Sequence, residues 1–271
     1  MHLSRHQTPE GSRLACDGVY LPRGLSLEMI LQLPSATITE FLELLPKSGL
    51  AVDPLLPPLE SMHEVWACGV TYLRSREARE IESEIKDVYE KVYTAERPEI
   101  FFKSIGWRVA GHNMPIRIRR DSRWNVPEPE LTLVINSYRE IVGFCCGNDV
   151  SSRDIEGQNP LYLPQAKTYN GSCAIGPGIE ILDVANMTEL IIRVEIIRSE
   201  EIVFQGDTKA SRMKRSFEEL VAYLTRELDF PNGVFLMTGT GVVPADDFSL
   251  QRDDIVRIYI GSLLLENHIE S

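Results

Sequence analysis

No apolar run in this chain approaches the roughly 18 to 20 residues that a membrane-spanning helix needs. The opening Met1-His2-Leu3-Ser4-Arg5-His6 also lacks the apolar stretch of a secretory signal. A basic surplus is missing as well: Lys plus Arg number 28 against 40 Asp plus Glu, for a formal net charge of -12. With nothing left over to neutralise a row of phosphates, nucleic acids and anionic membranes are not expected as partners. Cysteine is scarce, five in all, and Cys16, Cys68, Cys145, Cys146 and Cys173 show none of the paired spacings of a metal site. Cys145 and Cys146 adjoin in a predicted strand, so their side chains face opposite ways and are not expected to share a metal. Internal repeats are absent too. Together these absences describe a soluble, cytoplasmic protein with reduced core thiols.

What is present is ordinary globular composition, 43% hydrophobic and 25% charged over 271 residues, enough to bury a sizeable core. Residues 1–60 read as a small N-terminal α/β region. It has a hairpin-like start, a short helix near 25–31, and a helix over 37–45 with Ile38, Phe41, Leu42 and Leu45 on one side. Pro54, Pro57 and Pro58 break regular structure there and place a boundary, leaving 61–271 as the larger domain. Residues 65–70 read as a buried strand, and Ala78, Ile81, Ile85, Val88 and Val92 recur at helical spacing within a charged helix over 74–96. In the strand over 97–103, alternation puts Glu99, Phe101 and Lys103 on one side, as acid–base equipment or as a plain ion pair beside an aromatic.

Further on, 157–165 reads as an irregular loop ending at Lys167, either functional or carrying an ordinary surface lysine. Gly176-Pro177-Gly178 reads as a turn. A second hairpin crosses Ser199-Glu200, and Phe217, Leu220, Val221 and Leu224 define a helix capped by Ser216. The strand over 234–237 runs into Thr238-Gly239-Thr240-Gly241, whose amides either hold a carboxylate or make a plain turn. Strands over 254–260 and near 263–265 finish the chain.

The chain's most informative stretch is 124–149. Glu128 and Glu130 are two apart on an extended segment and point the same way, while Pro129 between them suits a strand start or an edge. Leu131-Thr132-Leu133-Val134-Ile135 and Ile141-Val142-Gly143-Phe144-Cys145-Cys146 read as the arms of a hairpin that ends at Asp149. With Arg139-Glu140 as the two central loop residues, Asp149 stands opposite Glu130 on the same face. An odd loop sends it to the other face unless a bulge corrects the register. Three acidic oxygen donors on one face call for a hard divalent cation, with magnesium the first choice. On spacing alone, two solvated strand-face acids remain the plainer reading.

Gly69-Val70-Thr71-Tyr72, Pro98 through Lys103, Glu128-Pro129-Glu130-Leu131, Gly147-Asn148-Asp149-Val150-Ser151-Ser152-Arg153, Lys167, Gly176-Pro177 and Thr238-Gly239-Thr240-Gly241 resemble, in order and spacing, the fumarylacetoacetate hydrolase family over residues 63–268. The resemblance implies an α+β, mostly β fold, a mixed β-sandwich or β-roll. It implies one Mg2+, with Mn2+ or Ca2+ as substitutes, held by Glu128, Glu130 and Asp149. It also implies a homodimer or higher homo-oligomer and a 2-oxo acid substrate bound among Thr71, Tyr72, Phe102, Lys167 and Thr240. Such a metal would withdraw electrons from the 2-oxo oxygen, acidify C3 and stabilise an enolate.

The sequence departs from the carbon–carbon hydrolases of that family three and six residues after Tyr72. Those enzymes carry a His and a Glu there to activate water, whereas Ser75 and Ala78 stand here and neither is a general base. Glu99 in Arg97-Pro98-Glu99-Ile100-Phe101-Phe102-Lys103, Ser122-Arg123-Trp124-Asn125 and the stretch 159–167 are instead similar to the family's 2-keto-3-deoxyarabinonate dehydratase branch. The expectation is a magnesium-dependent dehydratase, a hydro-lyase, acting on a 2-keto-3-deoxy sugar acid with Glu99 and Lys167 as the acid–base pair. An acylpyruvate or diketo-acid hydrolase and an inactive 2-oxo-acid-binding protein are the alternatives.

Overall fold

The computed structural model describes residues 1–73 and 87–270. Its strands are β1 (His2–Thr8), β2 (Gly11–Cys16), β3 (Val19–Tyr20), β4 (Leu55–Leu56), β5 (Glu64–Gly69), β6 (Glu99–Ile105), β7 (Ile116–Arg117), β8 (Asn125–Val126) and β9 (Pro129–Ile135). They continue with β10 (Ile141–Asp149), β11 (Ser151–Ser152), β12 (Cys173–Ile181), β13 (Ile191–Arg198), β14 (Glu201–Lys209), β15 (Val234–Met237), β16 (Ile255–Ile260) and β17 (Leu263–Glu270). The helices are α1 (Leu27–Leu31), α2 (Ser35–Leu44), α3 (Asp87–Thr94), α4 (Arg153–Gln158), α5 (Leu163–Lys167), α6 (Val184–Met187) and α7 (Phe217–Leu224). None of the described helices is long and apolar enough to cross a membrane. The fold is mostly β with mixed sheets, as the sequence resemblance implied.

A ten-stranded sheet runs β3-β2-β1-β12-β10-β9-β15-β5-β6, with β4 added on β1. A five-stranded sheet runs β14-β13-β16-β17-β7. Residues 1–60 reach the large sheet through β1, which pairs with β12. Alternation along the central strands feeds two cores. Leu131, Leu133, Ile135, Phe144 and Cys146 pack toward Ile192, Val194, Val256, Ile258 and Leu265 of the smaller sheet. Val134, Cys145, Phe235 and Met237 pack with Leu27, Ile30, Ile38 and Leu42 of the N-terminal helices. Cys145 and Cys146 thus face opposite cores, and all five cysteines are buried and unpaired.

The 124–149 hairpin forms, but not with the expected turn. Asn136 through Glu140 make a five-residue connection, with Ile141 opposite Ile135. An odd loop alone would turn Asp149 away from the glutamates. Between Ile141 and Gly143 the register shifts by one, because Val142 is an extra residue against β9. That bulge brings Gly147 opposite Glu130, so Asp149 stands beside Glu128 rather than Glu130, still on the glutamate face. Pro129 opens β9, where its missing N–H costs little, but β9 is central, between β10 and β15, and not an edge.

Other expectations are corrected. Gly176-Pro177-Gly178 is no turn: it lies inside β12, where Cys146 pairs with Gly176 and Phe144 with Glu180, so Pro177 occupies an irregularity in the ladder. The loop over 157–165 is instead two short helices joined by a single 3-10 turn over Pro160–Tyr162. Asn159 Oδ1 accepts the Leu161 N–H at 2.9 Å, and Pro160 and Pro164 stand at helix starts, where a missing N–H is tolerated. Of the helix over 74–96 only α3 is seen; its remaining N-terminal part, with Ser75 and Ala78, lies outside the described residues. The hairpin across Ser199-Glu200 forms with both residues at positive φ, and Ser216 caps α7 by accepting the Glu219 N–H at 3.1 Å.

Candidate metal centre and acid–base site

Glu128 and Glu130 leave the start of β9 on one face, and Asp149 at the end of β10 donates its N–H to the Glu128 carbonyl at 3.0 Å. Oxygens of the three carboxylates all lie within 4.8 Å of one another, and all three residues are buried. Three buried cations meet them. Lys167, at the end of α5, donates to Glu128 Oε2 at 2.8 Å, Asp149 Oδ2 at 2.8 Å and Ser151 Oγ at 2.6 Å. Arg153 Nη2 donates to Glu128 Oε1 at 2.8 Å, and Lys103 Nζ lies 2.5 Å from Asp149 Oδ1. Burying such ions unpaired costs several kcal/mol each, so the acids and cations stabilise one another as a set.

Glu130 is held differently, by the Gly239 N–H at 2.6 Å. Gly239 has φ +92°, and a Cβ there would come within 2.1 Å of Thr71 Oγ1, so glycine alone lets the 238–241 loop present that amide. Burial, then the charges of Asp149 and Glu128, push the Glu130 carboxyl well above its ordinary 4.5. Folded protein therefore holds that proton more tightly than unfolded. The stabilisation is complete below about pH 4.5 and is lost as pH rises through the raised value. In EDTA, the Tm of the wild type is expected to decline from pH 5 to 8 more steeply than that of Glu130→Gln; parallel declines would refute the assignment.

Glu99 opens β6 directly across from Gly69 of β5. A Cβ at position 69 would sit 1.9 Å from Glu99 Oε2, so the carboxylate occupies space that glycine leaves vacant. Burial, then Glu130 and Glu99, raise the Cys68 thiol well above its ordinary value, so both carboxylates act on one buried site. Phe101 lies under the Lys167 ammonium, with Nζ 5.6 Å from the ring centroid.

The other expected site residues fall in two groups. Thr71 is buried and donates through Oγ1 to the Thr238 carbonyl at 2.7 Å, tying the 69–72 and 238–241 segments together. Val70 beside it holds φ 54°, an outlier for a β-branched residue and a mark of local strain. Tyr72 is buried, and burial, then the Glu130 charge, raise its hydroxyl above the ordinary range. Thr240 is buried too, with Oγ1 donating to the Val242 carbonyl at 3.0 Å. Phe102 is not brought to the cluster: it turns to the opposite face of β6 and packs edge-on to Trp66 at 5.8 Å.

Residues the sequence reading left off the site are Lys103, Arg153, Ser151 and Gly69. The signal for Lys103 was its shared face with Glu99 and Phe101; for Arg153 and Ser151 it was position in the Asp149 motif. A buried, oxygen-only donor set of three carboxylates fits a hard divalent cation, and Glu128, Glu130 and Asp149 are the side chains that could hold it.

Comparison with known proteins agrees with this geometry. The fumarylacetoacetate (FAA) hydrolase C-terminal family model matches residues 64–270. The 2-dehydro-3-deoxy-D-arabinonate dehydratase of Saccharolobus solfataricus is 43% identical over 215 residues, 78% of this chain and 70% of that protein. A Haloferax volcanii protein described as "Probable 2-keto-3-deoxyxylonate dehydratase" is 48% identical over 198 residues, 73% of this chain and 68% of that one. A solved 2-keto-3-deoxy-D-arabinonate dehydratase complexed with magnesium and 2,5-dioxopentanoate superposes with a TM-score of 0.83 at 34% identity, covering 100% of this chain and 99% of that one.

Proposed function

The chain belongs to the fumarylacetoacetate hydrolase family, and from that membership and the site's geometry we propose a magnesium-dependent dehydratase of 2-keto-3-deoxy sugar acids such as 2-keto-3-deoxyarabinonate. The observation that carries the reading is the convergence of Lys167 on two carboxylates of a buried acidic triad, with Glu99 supplied from β6. It is supported by two dehydratase relatives of the same substrate class.

Dehydration removes a proton from C3 and the hydroxyl from C4 as water, leaving a C3–C4 double bond. A divalent cation held by Glu128, Glu130 and Asp149 supplies Lewis acidity toward the 2-oxo group, which makes the C3 proton easier to remove. The remaining work belongs to side chains. Lys167, with its three contacts to Glu128, Asp149 and Ser151, is assigned the role of proton donor. Glu99, its carboxylate set in the space at Gly69, is the complementary acceptor. Thr71, Tyr72 and Thr240, all buried, are assigned to substrate binding, with Thr240 helping to hold the substrate carboxylate, and burial of the cluster keeps bulk water from competing.

The reading is tested by incubating the protein and magnesium with a panel of 2-keto-3-deoxy pentonates, hexonates and acylpyruvates. Loss of water from a 2-keto-3-deoxy acid is expected; carbon–carbon cleavage of the acylpyruvates instead would replace the proposal with a hydrolase. Gly69→Ala offers a sharper probe, since its methyl must displace the Glu99 carboxylate, the movable end of a side chain. Turnover is expected to drop about 10²-fold for a displacement of this kind with little change in Tm, and full turnover would remove Glu99 from the mechanism. The chain is further proposed to act as a homodimer, which light scattering after size exclusion checks and a monomer refutes.

A further inference from the structure

Lys103 has no part in the reaction above, yet its side chain is 0% exposed. It sits where β6 carries one residue more than β5: Val65 pairs with Ser104 and Trp66 with Phe102, leaving Lys103 at the irregularity. Its ammonium meets three acceptors. These are Asp149 Oδ1 at 2.5 Å, the Val150 carbonyl at 3.1 Å and the Lys167 carbonyl at 2.5 Å. One side chain thus joins a carboxylate of the triad by an ion pair and, by hydrogen bonds, the residue after it and the backbone of the other lysine.

The two lysines grip one aspartate by different oxygens. Lys167 takes Asp149 Oδ2 and Lys103 takes Oδ1. The contacts of Lys167 are to the same carboxylates that a cation would use, and its ammonium faces the reacting centre. Those of Lys103 come from behind, and two of the three are to backbone. We propose that Lys103 is a positioning residue that fixes Asp149 and Lys167 relative to each other, so that the aspartate stays placed while Lys167 exchanges partners during the reaction. This rests on the metal-centre and dehydratase reading above.

A residue that only filled the core would be replaced by a neutral side chain at the expense of stability alone. One that positions a ligand and a catalytic amine changes metal affinity and kcat and leaves substrate affinity nearly untouched. The Lys167 carbonyl keeps a second donor, Ser172 Oγ at 2.8 Å, so it is not orphaned when Lys103 is replaced.

Lys103→Met, Lys103→Gln and Lys103→Arg are compared with the wild type by calorimetric titration with magnesium chloride in the absence of substrate, and by kcat and KM with a 2-keto-3-deoxy acid at saturating magnesium. Circular dichroism confirms folding at the assay temperature. The neutral variants are expected to bind magnesium about 10- to 100-fold more weakly and to lose kcat by a similar factor, with KM within about threefold and partial recovery in Lys103→Arg. A folded neutral variant with magnesium affinity and kcat within twofold of wild type overturns the proposal. Wild type that binds magnesium but dehydrates nothing defeats the proposed function and leaves Lys103 to be judged by the titration; wild type that binds no magnesium overturns both. Should the neutral variants not fold, a crystal structure of wild type grown with magnesium decides. Lys103 Nζ within hydrogen-bond distance of Asp149 Oδ1 and the Lys167 carbonyl supports the proposal, and an ammonium turned away overturns it.

Discussion

Lys167→Met is expected to lower turnover of a 2-keto-3-deoxy acid by about 10²- to 10⁴-fold, the range lost when a general acid or base is removed. The thioether keeps most of the apolar stem of the side chain but loses the ammonium that lies over Phe101 and has no proton to give. The change also strips one donor each from Glu128 and Asp149, while Arg153 and Lys103 still hold the opposite oxygens. Metal-free protein should therefore lose stability, by up to about 3–5 kcal/mol if the lost charge goes uncompensated. Magnesium should restore much of that loss by binding the folded state. Kinetics with and without magnesium, beside Tm in both conditions, separate the chemical loss from the electrostatic one. A Lys167→Met protein that keeps a tenth or more of wild-type kcat would remove the lysine from the acid–base pair.

Asp149→Asn is expected to have the second large effect, and on a different quantity. The amide is nearly isosteric, yet it carries no charge and offers a single acceptor where the carboxylate meets two ammonium groups. Two buried lysines would then face a neutral group, with a destabilisation of about 3–5 kcal/mol. Magnesium affinity should fall at least about 100-fold, the upper end of what a disturbed ligand sphere costs, and turnover should disappear with it. Titration calorimetry and urea unfolding measure the two losses. Wild-type magnesium affinity in the folded variant would show that Asp149 is not a ligand.

How much of this could be read in the chain is best seen at particular residues. The period-two alternation at Glu128 and Glu130 and the two apolar arms around residue 138 made the hairpin legible. The bulge at Val142 was not legible, because the loop that makes it necessary is shaped by distant residues. Asn136 Nδ2 donates to the Leu33 carbonyl at 2.9 Å, and Glu140 Oε2 accepts the Ser35 N–H at 2.6 Å, both from the segment around α2. Alternation likewise placed Lys103 beside Glu99, but its partner, Asp149, arrives from another strand, and no local pattern announces a contact 46 positions away. Phe102 lies off the acidic cluster for the complementary reason: motif adjacency suggested the site, whereas strand alternation sends its ring to Trp66. The helices over 153–167 were hidden by Gly157, Pro160 and Pro164, which read as breakers even though the prolines serve as helix starts.

The balance of charge in the cluster has a further consequence. Glu128, Glu130 and Asp149 against Lys103, Arg153 and Lys167 sum to zero when all six are ionised. A dication entering this set, in which Glu130 also holds its proton more tightly than an ordinary carboxyl, leaves an excess of positive charge in a buried space, and a 2-oxo acid brings the anion that offsets part of it. Metal and substrate should then bind with positive heterotropic coupling, each tightening the other by the same factor. The enzyme's affinity for magnesium would thus be a property of its substrate supply, low when the acid is scarce and higher when it is abundant.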